Sequence, residues 1–146
     1  MHFEGNFEVK AQRQKVFDLL MEPKKISACM PDLQKLDVKS PDDFTAVIKA
    51  GVGFIKGDFT FHFTIPEKTS PSHAKLIGRG TGIGSTVDLQ TILDLEETKK
   101  GTMMKWSAEA LVGGRIASVG QRLLNGQAEK IIKQLFACLQ KQVEGI

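Results

Sequence analysis

Phe59-Thr60-Phe61-His62-Phe63-Thr64-Ile65 alternates between apolar and polar side chains without a break, and its reading decides the fold. A period of two marks a strand with one face buried and the other wet. It sets three phenyl rings and an isoleucine on one face and turns Thr60, His62 and Thr64 outward. A row of aromatic rings needs a second layer over it, so the rest of the chain has to supply both neighbouring strands and a cover.

The same period runs on either side. Upstream, Leu36 and Val38 mark a short strand, and Phe44, Ala46, Ile48 and Ala50 alternate with Thr45, Val47 and Lys49 in another. Downstream come Ala74 and Leu76, then Val87, Leu89, Thr91, Leu93 and Leu95, then Met104, Trp106, Ala108 and Ala110. With residues 3–9 the reading gives seven strands, six of them consecutive. Between the first and the second, Val16, Phe17, Leu19 and Leu20 are spaced as one side of a helix that Pro23 stops. A second short helix falls around residues 25–29 and is closed by Pro31.

After Gly113-Gly114 the period becomes helical. Ile116, Val119, Leu123, Leu124, Ala128, Ile131, Ile132, Leu135, Phe136, Leu139 and Val143 form a stripe, with Arg122, Glu129, Lys130, Lys133 and Lys141 on the wet side. A helix of about 30 residues is about 45 Å long, enough to cross the sheet and cover the rings. Asn125-Gly126 is a pair that often ends helices. The stripe resumes in phase beyond it, so the reading carries the helix through. Gly120 and Gly126 within that helix each cost up to about 1 kcal/mol relative to alanine. Either a close approach to a strand or a thinned helix face that leaves room for a ligand would offset this.

The turns alternate in character. Gly51-Val52-Gly53-Phe54-Ile55-Lys56-Gly57, Gly78-Arg79-Gly80-Thr81-Gly82-Ile83-Gly84 and Val112-Gly113-Gly114 are glycine-rich and apolar, whereas Ser40-Pro41-Asp42-Asp43, Pro66-Glu67-Lys68-Thr69-Ser70-Pro71 and Glu96-Glu97-Thr98-Lys99-Lys100 are charged or carry proline. In an antiparallel meander every second turn lies at the same end, so the glycine-rich segments are expected to meet. Phe54, Ile55 and Ile83 are read there as loop-tip residues with no core to enter. The expected gate comprises Val52, Gly53, Phe54, Ile55, Gly57, Ile83, Gly113 and Gly114.

A chain of 146 residues fits one domain, 1–146, with one sizeable core. Its net charge of +3 is spread over 20 basic and 17 acidic side chains, with no block of one sign, which argues against a nucleic-acid partner. No apolar run reaches the roughly 18 residues of a membrane span. The start Met1-His2-Phe3-Glu4-Gly5 lacks the order of a signal peptide, and the expected location is the cytoplasm, with peripheral membrane contact at most. Cys29 and Cys138 have neither the spacing of a metal site nor the density of a disulfide scaffold, and are read as reduced thiols in apolar surroundings. A nucleophilic Cys29 is the sharper alternative, but no histidine stands near it in sequence.

Zinc-binding, phosphate-loop and nucleophile-elbow motifs are missing, so no metal and no cofactor are expected. The glycines of residues 78–84 do not fit the dinucleotide fingerprint, because Ile83 or Ser85 occupies the third glycine's place and a strand follows. His62 and His73 fall on polar positions and are read as solvated, as are Asp88, Asp94 and Glu109. The inward face is apolar apart from Ser85, Thr91 and the indole of Trp106. No catalytic residue is assigned.

A strand, two short helices, a six-stranded meander and a long C-terminal helix form the order of the helix-grip fold. Within that START-like superfamily, which takes in lipid-transfer domains and polyketide cyclases, the chain resembles the carbon monoxide dehydrogenase G-subunit family. The resemblance is carried by Phe7-Glu8-Val9-Lys10-Ala11 with Val16-Phe17, Ala28-Cys29-Met30-Pro31, residues 51–59 and residues 112–120. It implies an α+β fold with a curved seven-stranded antiparallel sheet around the long helix. It also implies a carrier of a hydrophobic ligand that partners a molybdenum hydroxylase and links it to membrane quinone. By position it places the gate at residues 52–57 and the glycine-rich start of the helix at residues 113–120. Members thought to anchor the enzyme carry a further C-terminal membrane segment. This sequence ends at Ile146, directly after the helix, so permanent anchoring is not expected.

The combined expectation is a soluble binder of an apolar small molecule, a quinone, fatty acid or other lipid. Phe44, Ile48, Phe59, Phe61, Phe63, Leu76, Val87, Leu89, Trp106, Gly120, Leu123 and Leu124 are the expected lining, and Lys56, Arg79 and Arg115 beside the apolar tips would favour transient contact with anionic lipid. Two rivals remain: a cavity enzyme of the aromatase or cyclase type using Ser85 with Thr91, and an adaptor that binds no ligand.

Overall fold

Each run of alternation becomes a strand and each interruption a turn. The computed structural model describes residues 1–145. Its elements are β1 (His2–Val9), α1 (Arg13–Leu20), α2 (Pro23–Ile26) with a 3₁₀ turn at Ser27–Cys29, β2 (Leu33–Ser40), β3 (Asp43–Val52), β4 (Ile55–Thr69), β5 (His73–Gly82), β6 (Ser85–Glu97), β7 (Thr102–Gly114), a second 3₁₀ turn at Arg115–Val119, and α3 (Gln121–Glu144). The strands form one curved antiparallel sheet in the order β1-β7-β6-β5-β4-β3-β2. The two strands flanking the helical insert are therefore the two edges of the sheet, and α1 and α2 bridge between them beneath one end. This is the START-like, helix-grip architecture.

The register explains the glycines of β5. Phe61 pairs with Gly80 and Phe63 with Gly78, and a Cβ on either glycine would come within 2.5 to 2.7 Å of the paired ring. The rings lie across a strand stripped of side chains. The sequence reading ended this strand near Leu76 and took residues 78–84 as a flexible turn. Instead β5 runs to Gly82, and only Ile83 and Gly84 turn. An inward glycine leaves no apolar mark in the sequence, so alternation alone does not reveal it. Pro66 likewise lies inside β4, beyond the end of β3, at a register shift between Thr64 and Glu67 where its missing N–H breaks no ladder.

α3 passes through Asn125 and Gly126 unbroken. Its start is displaced from the expectation: Gly120 is not inside the helix but caps it, at φ 97°. Neither Gly120 nor Gly126 has any atom within 4 Å of where a Cβ would stand, so neither permits a close approach to a strand. Cys29 and Cys138 are not free thiols. They form a disulfide across 109 residues that ties the first 3₁₀ turn to α3, with Gln142 Nε2 3.4 Å and 3.6 Å from the two sulfurs.

At the base of the sheet Val9, Val16, Phe17, Leu95, Met104, Leu139 and Val143 make a buried core. Phe136 of α3 stacks on Phe7 with ring centroids 4.7 Å apart and meets Trp106 edge-on at 5.3 Å.

Candidate functional site

The concave face of the sheet carries two more apolar groups besides the base. One joins Val52, Phe59, Ile116 and Leu124 at the glycine-rich end; the other joins Phe44, Ala46 and Phe63 toward β2. α3 is thus fixed at both ends, by Leu124 at one and by Phe136, Leu139 and Val143 at the other. Between them, Ala128, Ile131 and Leu135 continue at helical spacing the stripe that runs from buried Leu124 to buried Leu139. These three and Ile132 are only half-buried, and none belongs to any of the three cores.

On the facing sheet Phe61, Leu76, Leu89 and Trp106 are half-buried at the margins of the cores, and the next two inward places beyond Trp106 on β7 hold Ala108 and Ala110, before Val112 joins the group at the mouth. The interior contains no buried charge: among the described residues the buried polar side chains are Ser27, Ser85 and Thr102. Trp106 Nε1 is a buried donor with no acceptor.

Of the expected lining, Phe44, Phe59, Phe63 and Leu124 are buried in packed cores, and Ile48, Phe61, Leu76, Val87, Leu89 and Trp106 are half-buried on the concave face. Two residues do not belong to the lining. Leu123 is 50 % exposed and stands over the β3–β4 turn, its Cδ1 3.5 Å from where a Gly53 Cβ would be. Gly120 is an exposed cap. Leu123 is selected by the periodicity that marks α3's inner face without having a strand to face, and Gly120, expected as a thinned place within the helix, stands before its first turn.

The three glycine-rich segments do meet at one end. Ile83 lies against Gly57, Arg115 against Gly84, and Leu123 with Val119 against Gly53. Of the three residues expected at bare tips, Ile55 folds inward at 3 % exposed, beside Val52 at 7 %, and Ile83 packs into the apolar group at the mouth, leaving only Phe54, at 79 %, as the tip. Ile83 and Gly84 form a two-residue turn with φ 54° and 65°, the type I′ geometry that matches strand twist. A β-branched residue at positive φ is strained by about 1–3 kcal/mol. The Ile83 side chain offsets this by packing into the apolar group at the mouth.

Residues 115–119 form a flap between two glycines with positive φ, Gly114 at 78° and Gly120 at 97°. Ile116 inserts from the flap among Val52, Phe59 and Leu124, 6 % exposed. Its backbone N–H donates to Ser85 Oγ at 2.9 Å, and Arg115 N–H donates to Gly84 O at 3.1 Å. Ser85 Oγ in turn donates to Ile83 O at 3.3 Å. Sequence reading missed this fastening, because a serine opening a strand carries no sign of its partner 31 residues later.

The three histidines stand on the convex side of the sheet. His62 pairs with Asp43 at 2.7 Å, His73 with Asp94 and Glu67 at 2.7 and 3.1 Å, and His2 with Glu109. Hydrogen bonds to the carboxylates of Asp94 and Glu67 raise the pKa of His73, and one to Glu109 raises that of His2. Among the described residues no group of His, Cys, Asp and Glu is gathered to hold a metal, and no helix is long and apolar enough to cross a membrane. Two open hollows of about 450 and 490 Å³ lie along β2–β4 and along β1, β6 and β7, lined mainly by polar side chains.

A family model described as the G subunit of carbon monoxide dehydrogenase (CoxG) matches residues 5–144. No curated protein matches the sequence. Among solved structures, a conserved protein from Geobacillus kaustophilus is similar at 27 % identity and a TM-score of 0.91, covering 99 % of this chain and 96 % of that one. A START superfamily protein from Mycobacterium smegmatis has 10 % identity and a TM-score of 0.73 over 99 % and 97 % of the two chains. The di-domain aromatase/cyclase BexL of the BE-7585A biosynthetic pathway has 11 % identity and a TM-score of 0.68, with 99 % of this chain aligned to 50 % of that one. At such identities the last two bear on the fold alone.

Proposed function

The chain belongs to the CoxG family of carbon monoxide dehydrogenase, and from that premise we propose that it carries an apolar small molecule, a quinone or lipid, between α3 and the concave sheet. In this reading it serves a molybdenum hydroxylase as an accessory rather than acting as an enzyme. The observation that carries the proposal is the half-buried apolar lining along the middle of α3 and the sheet, between two fully packed ends. Side chains there retain surface that a ligand would cover, and each 100 Å² of apolar area so covered contributes about 2.5 kcal/mol before ordering costs.

Access runs through the mouth. Withdrawing Ile116 from its group breaks the bond to Ser85 Oγ and pivots the flap on Gly114 and Gly120, while the base and the sheet register stay as they are. A quinone suits the interior better than a bare hydrocarbon. An unpaired buried donor costs about 1–3 kcal/mol, and a ligand carbonyl that displaced the cover over Trp106 Nε1 would satisfy it. The cyclase alternative is weakened because Ser85, half of its polar pair, is occupied by the flap.

Trp106 is the sole tryptophan and a natural reporter. Titration with a short-chain quinone is expected to quench its fluorescence saturably, and native mass spectrometry to show one adduct. No quenching together with no adduct of any quinone or fatty acid would overturn the carrier. Trp106→Phe, read by mass spectrometry, is expected to weaken quinone binding more than binding of a hydrocarbon of equal size.

A further inference from the structure

The geometry points to the rim of the mouth as a docking surface for an anionic lipid bilayer, with Phe54 and Leu123 entering the headgroup layer and Lys56, Arg115 and Arg122 contacting phosphates. The inference rests on the carrier reading for its purpose, since it names the surface from which cargo is taken, but its measurement is independent.

Phe54 is 79 % exposed on the β3–β4 turn and Leu123 is 50 % exposed on the first turn of α3. Leu123 Cδ1 lies against Gly53, so the two form one apolar edge across neighbouring elements. Three exposed cations flank it: Lys56 just past the tip, Arg115 on the flap and Arg122 beside Leu123. Among the described residues none of these three has a carboxylate within 4.0 Å, although other cations of the chain are paired at that range. No acid occurs from Leu111 to Ala128. Asp58, the acid of the β3–β4 hairpin nearest the tip, shares the outward face with Lys56 but sits opposite Lys49. Arg79, expected to join the rim, instead pairs with Asp88 at 3.7 Å on the convex side, and Arg122 takes its place. Exposed aromatic and aliphatic side chains ringed by unpaired cations complement an anionic interface, which attracts each nearby Lys or Arg and accepts the apolar tips.

Sedimentation with vesicles tests this. Phosphatidylcholine vesicles containing phosphatidylglycerol are expected to pellet the protein at low salt, and phosphatidylcholine alone is not. Raising the salt is expected to release it, because exposed charges are screened. Phe54→Ser with Leu123→Ser, and separately Lys56→Glu with Arg122→Glu, are each expected to lower vesicle binding about tenfold or more, and Arg122→Glu alone, at a residue outside the gate, the flap and the lining, is expected to weaken vesicle binding while leaving Trp106 quenching by quinone in solution unchanged. A wild-type protein that stays in the supernatant with anionic vesicles, or variants that pellet undiminished, would overturn the docking surface whatever the quinone result. Intact vesicle binding without quinone binding would support the surface and sink the carrier.

Discussion

At the base of the sheet Val9, Val16, Leu95 and Val143 are at most 2 % exposed, and the turns are held by the ion pairs Asp42–Lys68, Arg13–Glu97 and His73–Asp94. The mouth at the other end keeps Phe54 and Leu123 in solvent, strains the backbone at Ile83 and hangs a flap between two glycines. The contrast teaches where each end's sequence is directed. The packed core sits at the base, and the end through which a ligand is proposed to enter is fastened by a few hydrogen bonds and one inserted isoleucine.

Removing the disulfide should break the contrast hardest. In the chain-entropy account a crosslink closing about 100 residues stabilises by about 4.7 kcal/mol, with measured values lower. Cys29→Ser with Cys138→Ser is therefore expected to cost about 3–4 kcal/mol in urea unfolding, and reduction of the wild type to reproduce it. A reduced protein with an unchanged midpoint would remove the disulfide from the account of the base. Leu95→Ala comes next, at about 3 kcal/mol, for the lost transfer energy and the cavity left in a packed site. A cost below about 1 kcal/mol would mean that the base is not the store of stability described.

At the mouth the order of effects reverses. Ser85→Ala removes the acceptor of the Ile116 N–H and is expected to cost only about 1 kcal/mol. If that bond holds the flap shut, as proposed, quinone uptake followed by stopped-flow Trp106 quenching should accelerate several-fold, whereas Leu95→Ala should leave the uptake rate of the folded protein unchanged. Equal rates in Ser85→Ala and wild type would show that the flap is not the way in.

How far the sequence carries this picture depends on which features leave a side-chain signature. Phe59, Phe61, Phe63 and Ile65 announce β4 because every second residue is large, and the α3 stripe survives Asn125-Gly126 because its phase does. The segregation of turns by composition puts the three glycine-rich segments together, because a meander returns to the same end at every second turn. What escaped was written in residues that mark nothing locally. Gly78 and Gly80 are strand residues whose lack of a side chain is their function, and they read as a turn. Cys29 and Cys138 lie 109 residues apart, and only the docking of α3 on the first 3₁₀ turn brings them together. Ile55 and Val52 fold inward because they pair across a two-residue turn, which leaves only Phe54's side chain outside. Leu123 obeys the stripe rule and still faces water, because periodicity gives a helix face and not the extent of the sheet beneath it.

The smallest expected effect tests the base from its surface. Asp94 and Glu67 raise the pKa of His73 in the folded protein above its ordinary value near 6.5. A histidine with a raised folded pKa binds its proton more tightly when folded, so it stabilises fully below the unfolded pKa and loses that contribution as pH climbs through the folded one. The wild type should therefore lose a little thermal stability relative to His73→Gln as pH rises above the ordinary histidine value, by about 1 °C, since the group is exposed and solvent screens the pair. Added salt should shrink the difference. The mouth offers no counterpart, because among the described residues its cations Lys56, Arg115 and Arg122 have no carboxylate within 4.0 Å. A pH-dependent difference of the opposite sign would mean that His73 is held neutral, and the ion pairs at this end would no longer set it apart from the other.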